Sequence, residues 1–156
     1  MDVKTFISKN KIKLSPKALN LCQEAIERMK SGHDGLHNEK HVFRLLDNLD
    51  QFLKEETTID KSKINFEVLL ISLCWHDVWE ATLLPNNIFL ILFDMVFEGI
   101  GSMLKFAKRA KEVGLSKEIT KEVKYAIRKH VRIKILPIKT LEAKILKDMD
   151  ILDLWS

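Results

Sequence analysis

The 156-residue sequence predicts an all-α protein, a compact bundle of about six helices that forms a single domain over residues 1–156. Apolar residues recur at helical spacing through most of the chain, and the strict alternation that is typical of half-buried strands is nearly absent. No stretch rich in Pro, Gly or Ser divides the chain, and its length suits one domain with a core of its own. These observations together predict one helical domain.

Capping residues predict where the helices begin and end. Ser15 and Pro16 predict a helix start, because Ser accepts hydrogen bonds from free backbone amides and Pro suits the first helical position. Gly32 is typical of the end of that helix. The other predicted N-caps are Asn38, Ser116 and Thr140.

Glycines make the segment at residues 88–113 ambiguous. Gly99 and Gly101 lie inside its helical pattern, where each glycine costs about 1 kcal/mol relative to alanine. We therefore expect two helices there, or one helix that is broken or closely packed at the glycines. Gly114 is predicted to end the segment.

Composition narrows the classes of partner and the compartment. A net charge of +4 and a pI near 9.0 suit an anionic partner, although a solvated lysine-rich surface is the alternative. Cys22 and Cys74 fall within helical apolar patterns and form no C-x-x-C motif, which predicts two buried free thiols. With no signal peptide at the N-terminus, we expect a cytoplasmic protein. The longest apolar run, residues 88–93, is too short to cross a bilayer, so no membrane partner is expected.

Ionisable residues interrupt the apolar face of a helix predicted over residues 65–82. The residues that share this face at helical spacing are Leu69, Leu73, His76, Asp77 and Glu80. A carboxylate on a buried face is costly unless it is paired or bound to a metal. A buried ion pair is therefore the alternative to a metal site at His76 and Asp77.

Two further residues extend this cluster. His41 lies four residues before Leu45, on the inward side of its predicted helix. Asp150 lies four residues after Leu146 on the last helix. Two imidazoles and two carboxylates form a mixed nitrogen and oxygen site that suits one divalent ion, which would be Mn, Fe, Co, Ni, Zn or Mg.

The order of these residues resembles the signature of the HD phosphohydrolase superfamily, which reads His, His-Asp, Asp. The matching segments are H-V-F-R-L-L from His41, L-L-I-S-L-C-W-H-D ending at Asp77, and E-A-K-I-L-K-D-M-D-I-L-D ending at Asp153. The last segment is similar to the family's D-A-D-x-L-D, with Met149 in place of alanine. The resemblance covers about residues 33–153 and implies an HD-domain bundle. The metal ligands that it implies are His41, His76, Asp77 and Asp150.

The resemblance also implies a general acid at His37. The segment L-H-N-E-K-H is similar to the Y-H-N-x-x-H of cyclic-nucleotide phosphodiesterases, in which the first histidine resembles a proton donor to the leaving oxygen. A solvent-exposed histidine at a helix start is the alternative. A second register, H-D-G-L-H, would make His37 the metal ligand. We prefer His41, because only there do Arg44 and Leu45 match the family's H-x-x-R-V.

Glu80 and His130 are two further catalytic candidates. The segment H-D-V-W-E resembles the H-D-x-x-E-D of hydrolases that remove pyrophosphate from guanosine alarmones, but Ala81 replaces the second acid. An ion-paired glutamate is the alternative for Glu80. His130 lies on the inward stripe of its helix, and a histidine at this place in the family commonly faces the active site. A histidine satisfied within the core is the alternative for His130.

The function that we predict is hydrolysis of a phosphoester or phosphoanhydride by metal-activated water. The resemblance implies a small phosphorylated substrate of the nucleotide class. Cations that could bind its phosphates, with no single one preferred, are Lys105, Lys108, Arg128, Lys129 and Arg132. Trp75 and Trp79 are expected to pack rather than to stack on bases.

Two alternatives belong to other functional classes. One is a metal-binding HD module that acts as a sensor or interaction domain without turnover, and the intact ligand set argues against it. The other is a basic nucleic-acid-binding domain, which we do not expect because the sequence has no recognition-helix signature and no basic patch interleaved with aromatic residues. Family domains usually continue the last helix beyond the final motif. If such a helix is missing after Ser156, we expect either an open pocket or an exposed face that suits a homodimer, and the sequence does not decide between them.

Overall fold

The protein's structure is a computed structural model that describes residues 1–32, 36–82, 88–130 and 137–154, with side chains throughout these ranges except at 88–98. Eight α-helices and one 3-10 helix (Lys61–Lys63) form in these residues, and no strand does. The helices are α1 (Val3–Lys9), α2 (Pro16–Lys30), α3 (Glu39–Glu55), α4 (Phe66–Trp75), α5 (Val78–Thr82), α6 (Ile88–Glu112), α7 (Lys117–His130) and α8 (Leu141–Asp153). The all-α prediction is confirmed. Six helices have ten residues or more, and the short α1 and α5 are additional.

The predicted helix starts agree with the observed N-caps. The side chains of Ser15, Asn38, Ser116 and Thr140 each accept a hydrogen bond from a backbone amide in the first turn of the following helix. After α6 the chain turns at Gly114, whose φ of 64° is a left-handed conformation that glycine adopts without a steric penalty.

The segment at residues 65–82 forms two helices, so the prediction of one continuous helix is wrong. His76 and Asp77 form a turn between α4 and α5. The imidazole Nδ1 of His76 donates to the Leu73 carbonyl at 2.8 Å, and a side chain that binds this carbonyl competes with the helical backbone bond. The backbone amide of Ala81 then donates to the Asp77 carbonyl at 3.0 Å, so helical structure resumes at once.

The segment at residues 88–113 forms the single helix α6, which runs through Gly99 and Gly101 without a break. Close packing therefore explains why position 101 is a glycine, because a Cβ atom at Gly101 would overlap the ring of Trp79. The apolar run at residues 88–93, which was predicted to be buried, has side chains that lie outside the described residues.

Helix α4 lies at the centre of the fold and contacts α2, α3, α6, α7 and α8. Eight of its ten residues, 68–75, are buried, which explains why the segment is apolar on every side. The Trp75 side chain is fully buried and its Nε1 donates to the Leu21 carbonyl at 2.9 Å, which confirms a packing role. Cys22 and Cys74 are buried free thiols, as predicted. No described helix combines the length and the apolar character needed to span a membrane.

Candidate metal centre

Four side chains that are distant in the sequence meet at one end of α4. His41 comes from α3, His76 and Asp77 from the turn after α4, and Asp150 from α8. One ligand atom from each of the four lies within 4.8 Å of every other. The structure thus brings together the four residues that the sequence suggested as metal ligands.

The distances within this cluster suit one shared ion. The Nε2 atoms of His41 and His76 are 3.2 Å apart, and Oδ2 of Asp77 lies 3.4 Å from the first and 3.1 Å from the second. Oδ1 of Asp150 lies 3.6 Å and 3.7 Å from the same two nitrogens. Ligand atoms that are each about 2.1 Å from one first-row ion lie about 3 to 3.4 Å from one another. The cluster therefore has the size of a coordination shell.

Hydrogen bonds fix which nitrogen of each imidazole faces the cluster. Nδ1 of His41 lies 2.7 Å from a carboxylate oxygen of Asp153, and Nδ1 of His76 lies 2.8 Å from the Leu73 carbonyl. Both partners are acceptors only, so each ring carries a proton on Nδ1. In the neutral ring, Nε2 then directs a lone pair toward the carboxylates. The four atoms that meet, two imidazole nitrogens and two carboxylate oxygens, are therefore all acceptors, and such a set favours a cation.

Burial makes this arrangement costly without a cation. The exposed fraction is 5% for His41, 0% for His76 and 2% for Asp77. Oδ1 of Asp77 and Nε2 of His130 are buried, lie 3.4 Å apart and make no hydrogen bond. Buried polar atoms without partners are rare in proteins. Two imidazole nitrogens and two carboxylate oxygens form a donor set that first-row divalent ions accept, so the residues present fit such an ion.

The pKa values of His76 and Asp77 also reflect the close packing of imidazoles and carboxylates in this cluster. Burial alone would lower the pKa of His76, but the adjoining Asp77 and Asp150 carboxylates outweigh it and raise that pKa well above its usual value. Burial would raise the pKa of Asp77, but the imidazoles of His76, His130 and His41 hold it well below its usual range. Both shifts indicate that positive charge is favoured between these carboxylates.

Asp153 and Arg44 support His41 from behind. Asp153 accepts from Nδ1 of His41, and the Arg44 guanidinium makes two hydrogen bonds to the same carboxylate, at 2.6 Å and 2.7 Å. Burial would raise the pKa of Asp153, but Arg44 and His41 together lower it. Sequence analysis missed this supporting role. The available signal was that Arg44 and Asp153 both belong to the matching segments, yet neither had been given a function there.

His37 and His130 flank the cluster on different sides. Nε2 of His37 lies 3.9 Å from Oδ2 of Asp77, and the side chain is 33% exposed, so His37 borders both the ligands and solvent. His130 is buried, its Nδ1 donates to the Ile127 carbonyl, and its Nε2 faces Oδ1 of Asp77. The structure thus places both candidates beside a ligand.

Glu80 is a buried residue of α5, the helix that follows the turn at residues 76–77. Its Oε2 accepts from the Ser102 hydroxyl of α6 at 3.3 Å. Lys105 lies nearby, with its ammonium 4.9 Å from the Trp79 ring centre and a hydrogen bond to the Thr82 hydroxyl. Burial first, then the charge of Arg28, lowers the pKa of Lys105, and Glu80 partly offsets both. His33 and Arg132 lie outside the described residues.

Comparisons with protein-family models, with curated proteins and with solved structures found no significant match for this chain. The resemblance to HD phosphohydrolases therefore stays a prediction from the sequence. What stands on the structure itself is an all-α fold with a buried His/Asp cluster that could bind a metal ion.

Proposed function

We propose that this protein is a metal-dependent phosphohydrolase of the HD type, which cleaves a phosphoester or phosphoanhydride bond in a nucleotide. The observation that carries the proposal is the convergence of four acceptor atoms from His41, His76, Asp77 and Asp150 in a site where Asp153 and a backbone carbonyl fix both imidazoles. In a solvated cluster of charges, by contrast, no hydrogen bonds would be needed to orient the two imidazole rings.

A divalent ion bound by these four residues would polarise a phosphoryl oxygen and lower the pKa of a bound water toward neutrality. The protein's own residues hold the two imidazole ligands in fixed orientations. Asp153 and Arg44 hold the His41 ring in place, and the His76 ring is held by the Leu73 carbonyl. Positioning and charge stabilisation account for most of the rate enhancement in phosphoryl transfer, so such prearranged ligands suit this reaction.

His37 is the proposed proton donor to the leaving oxygen. Its Nε2 lies 3.9 Å from Oδ2 of Asp77 while a third of the side chain is exposed, so it can reach a substrate at the metal ligands and regain protons from water. An imidazole suits this task because its usual pKa lies near neutrality.

His130 and Glu80 have different proposed tasks. His130 is the proposed site-lining histidine, because its buried Nε2 lies 3.4 Å from Oδ1 of Asp77. Glu80, three residues after Asp77, is the proposed carboxylate that positions the attacking water, and its Oε2 accepts from Ser102 of α6 at 3.3 Å. The resemblance alone supports a nucleotide as substrate, and the net charge of +4 is compatible with an anionic one.

The test is release of phosphate, pyrophosphate and nucleoside from a panel of cyclic, mono-, di- and triphosphate nucleotides. The protein is first stripped of metal and then reloaded separately with Mn, Fe, Co, Ni, Zn or Mg. We expect turnover that requires metal and that falls by at least a hundredfold in Asp150→Asn, because one ligand is lost from the metal centre.

Asp148→Asn is the matched control. It removes the same charge from the same helix two residues away, at an exposed position outside the ligand cluster. It should keep turnover close to that of the unaltered protein. One-to-one metal binding without hydrolysis across the panel would instead favour the sensor or interaction module. If no metal binds to a protein whose circular dichroism shows that it is folded, the ligand assignment is wrong.

A further inference from the structure

A basic groove lies between α6 and α7, with a volume of about 620 Å³ and none of the metal-centre residues in its lining. Its cationic side chains are Lys111 at the end of α6, and Lys117, Lys121, Lys124 and Arg128 on α7. No acidic residue of the described chain lines it, and none of the five cations forms an ion pair with a described residue. The positive charges in the groove are therefore not held in ion pairs with described residues.

The cations of α7 form a straight row. Their positions are four, three and four residues apart, which is the spacing of one helical face. With a rise of 1.5 Å per residue, the row from Lys117 to Arg128 is about 16 Å long. Like charges at this spacing repel one another and destabilise the helix slightly. A partner that carries a row of negative charges would relieve that repulsion.

Apolar residues and one aromatic residue also line the groove. Met103 and Ala107 of α6 lie one helical turn apart and are half-buried, and Tyr125 of α7 is half-buried too. The Tyr125 hydroxyl accepts a hydrogen bond from the backbone amide of Lys139 at 2.9 Å, which fixes the ring. A fixed aromatic ring beside a row of cations offers both stacking and charge neutralisation to the same ligand.

We propose that this groove binds single-stranded nucleic acid, with phosphates along the cationic row and bases against Tyr125 and Met103. A single strand carries one charge per nucleotide beside an aromatic base, and both features match the residues that line the groove. The directly linked phosphates of a nucleoside polyphosphate would reach only part of a row about 16 Å long. Binding in this groove would not depend on the proposed hydrolase reaction.

The sequence alone could not indicate this site. Tyr125 is the one aromatic residue among the α7 cations, and the apolar Met103 and Ala107 belong to α6. The packing of α6 against α7 brings Met103, Ala107 and Lys111 opposite the α7 row. The groove therefore depends on tertiary contacts.

The experiment measures fluorescence anisotropy of a labelled twelve-nucleotide oligothymidylate with the whole chain, in EDTA, over a range of NaCl concentrations. Neutralisation of phosphates by five cations predicts a slope of about −3.5 for log affinity against log salt. The pair Lys117→Gln with Lys121→Gln should weaken binding at least tenfold. It should also reduce the slope to about −2, because two contacts are lost.

The matched control pair is Lys13→Gln with Lys61→Gln, which changes the net charge equally at exposed lysines outside the groove. It should bind almost as the unaltered protein does. Tyr125→Phe should keep affinity and Tyr125→Leu should lower it at least fivefold, because only phenylalanine preserves stacking. Equal losses in both lysine pairs, no binding at all, or stronger binding of duplex DNA or nucleoside triphosphate would each overturn the proposal. Hydrolysis by the Lys117→Gln, Lys121→Gln protein should be unchanged, which separates this test from that of the metal centre.

Discussion

Asp153 lies outside the His/Asp cluster and holds one of its side chains in place. Its carboxylate lies between the Arg44 guanidinium and Nδ1 of His41. The hydrogen bond to Nδ1 keeps Nε2 of His41 directed at His76, Asp77 and Asp150. Arg44 in turn holds the carboxylate by two charge-assisted hydrogen bonds, which are stronger and more directional than neutral ones.

We predict that Asp153→Asn weakens metal binding by ten- to a hundredfold while all four ligands stay in place. The amide cannot pair with Arg44 as a carboxylate does, and it can present its NH₂ group to His41, which disfavours the required tautomer. Isothermal titration of the metal-free protein with Mn or Zn measures the change. Asp148→Asn again serves as the control on the same helix, and equal affinities in the two variants would remove Asp153 from the supporting role.

The contrast between Asp150 and Asp153 defines what the sequence can predict about single residues. The two aspartates are three residues apart on α8 and therefore share a helical face. The spacing from Leu146 indicates an inward position for Asp150, but Asp153 shares that face, and the resemblance was needed to choose Asp150. In the structure Asp150 lies 3.6 Å from Nε2 of His41, whereas Asp153 lies 2.7 Å from Nδ1 of the same ring. The difference depends on the depth at which α8 packs against α3.

At the level of helices, the capping residues correctly predicted where helices begin. The helical pattern did not predict whether a long segment forms one continuous helix. A cap acts within one turn, so Ser15 and Thr140 could be recognised locally. The end of α4 depends instead on the His76 side chain competing for a backbone carbonyl. The continuity of α6 depends on Trp79 packing against Gly101. Both outcomes involve contacts that local periodicity does not contain.

The buried Asp50 carboxylate attaches the short helix α1 to α3. It accepts from Lys54 at 2.5 Å, from Lys9 of α1 at 2.9 Å and from the Asn10 amide at 3.1 Å. Only 4% of Asp50 is exposed, whereas the side chains of Lys9 and Lys54 are about half exposed. Lys54, more than Lys9, holds the pKa of Asp50 far below its usual range despite burial, which acts in the opposite direction.

We predict that Asp50→Asn lowers the free energy of unfolding by about 1.5 to 3 kcal/mol at pH 7, the usual range for hydrogen bonds to charged groups. Because the folded-state pKa lies below the unfolded value of about 4, this contribution is complete above that pH. It is lost as the pH falls further, so the difference between the two proteins should shrink in acid. Urea unfolding at pH 7, 5 and 3 measures it.

Asp47→Asn provides the comparison for this pH effect. Asp47 lies on the same helix and pairs with the terminal ammonium of Met1, but its side chain is 56% exposed. Exposed ion pairs contribute at most about 1 kcal/mol, so this variant should be less destabilised than Asp50→Asn at neutral pH. A loss at Asp50 that stays constant down to pH 3 would contradict the ionic explanation.

Across the whole molecule, the fold class and the four residues of the buried His/Asp cluster could be predicted, whereas the groove between α6 and α7 could not. The helical pattern of the core follows from burial on one face, and His and Asp residues on inward faces are rare enough to attract attention. Cations such as Lys117 and Lys121 are common on helix surfaces, so their meaning appears only when α6 supplies a second wall. Contacts between residues that are far apart in the chain are the feature that a single sequence indicates least directly.

The ligand set also links parts of the chain that are far apart in the sequence, so metal binding should stabilise the whole fold. His41 belongs to α3, His76 and Asp77 follow α4, and Asp150 belongs to α8. An ion that binds only the folded state at a hundred times its dissociation constant adds about 2.7 kcal/mol to the free energy of unfolding. For a chain of this length, that energy corresponds to a rise in Tm of about 5 to 10 °C.

Thermal unfolding of the metal-free protein, with and without added Mn or Zn, measures this rise. Asp150→Asn should lose most of the rise, because the ion would then link α3 and the turn after α4 without α8. Asp148→Asn should keep it, since its side chain is exposed on α8 and is not a ligand. If the rise persisted in full in Asp150→Asn, the ion would be stabilising the protein from somewhere other than this centre. The thermal measurement needs no substrate, so it tests the metal centre even if no nucleotide is hydrolysed.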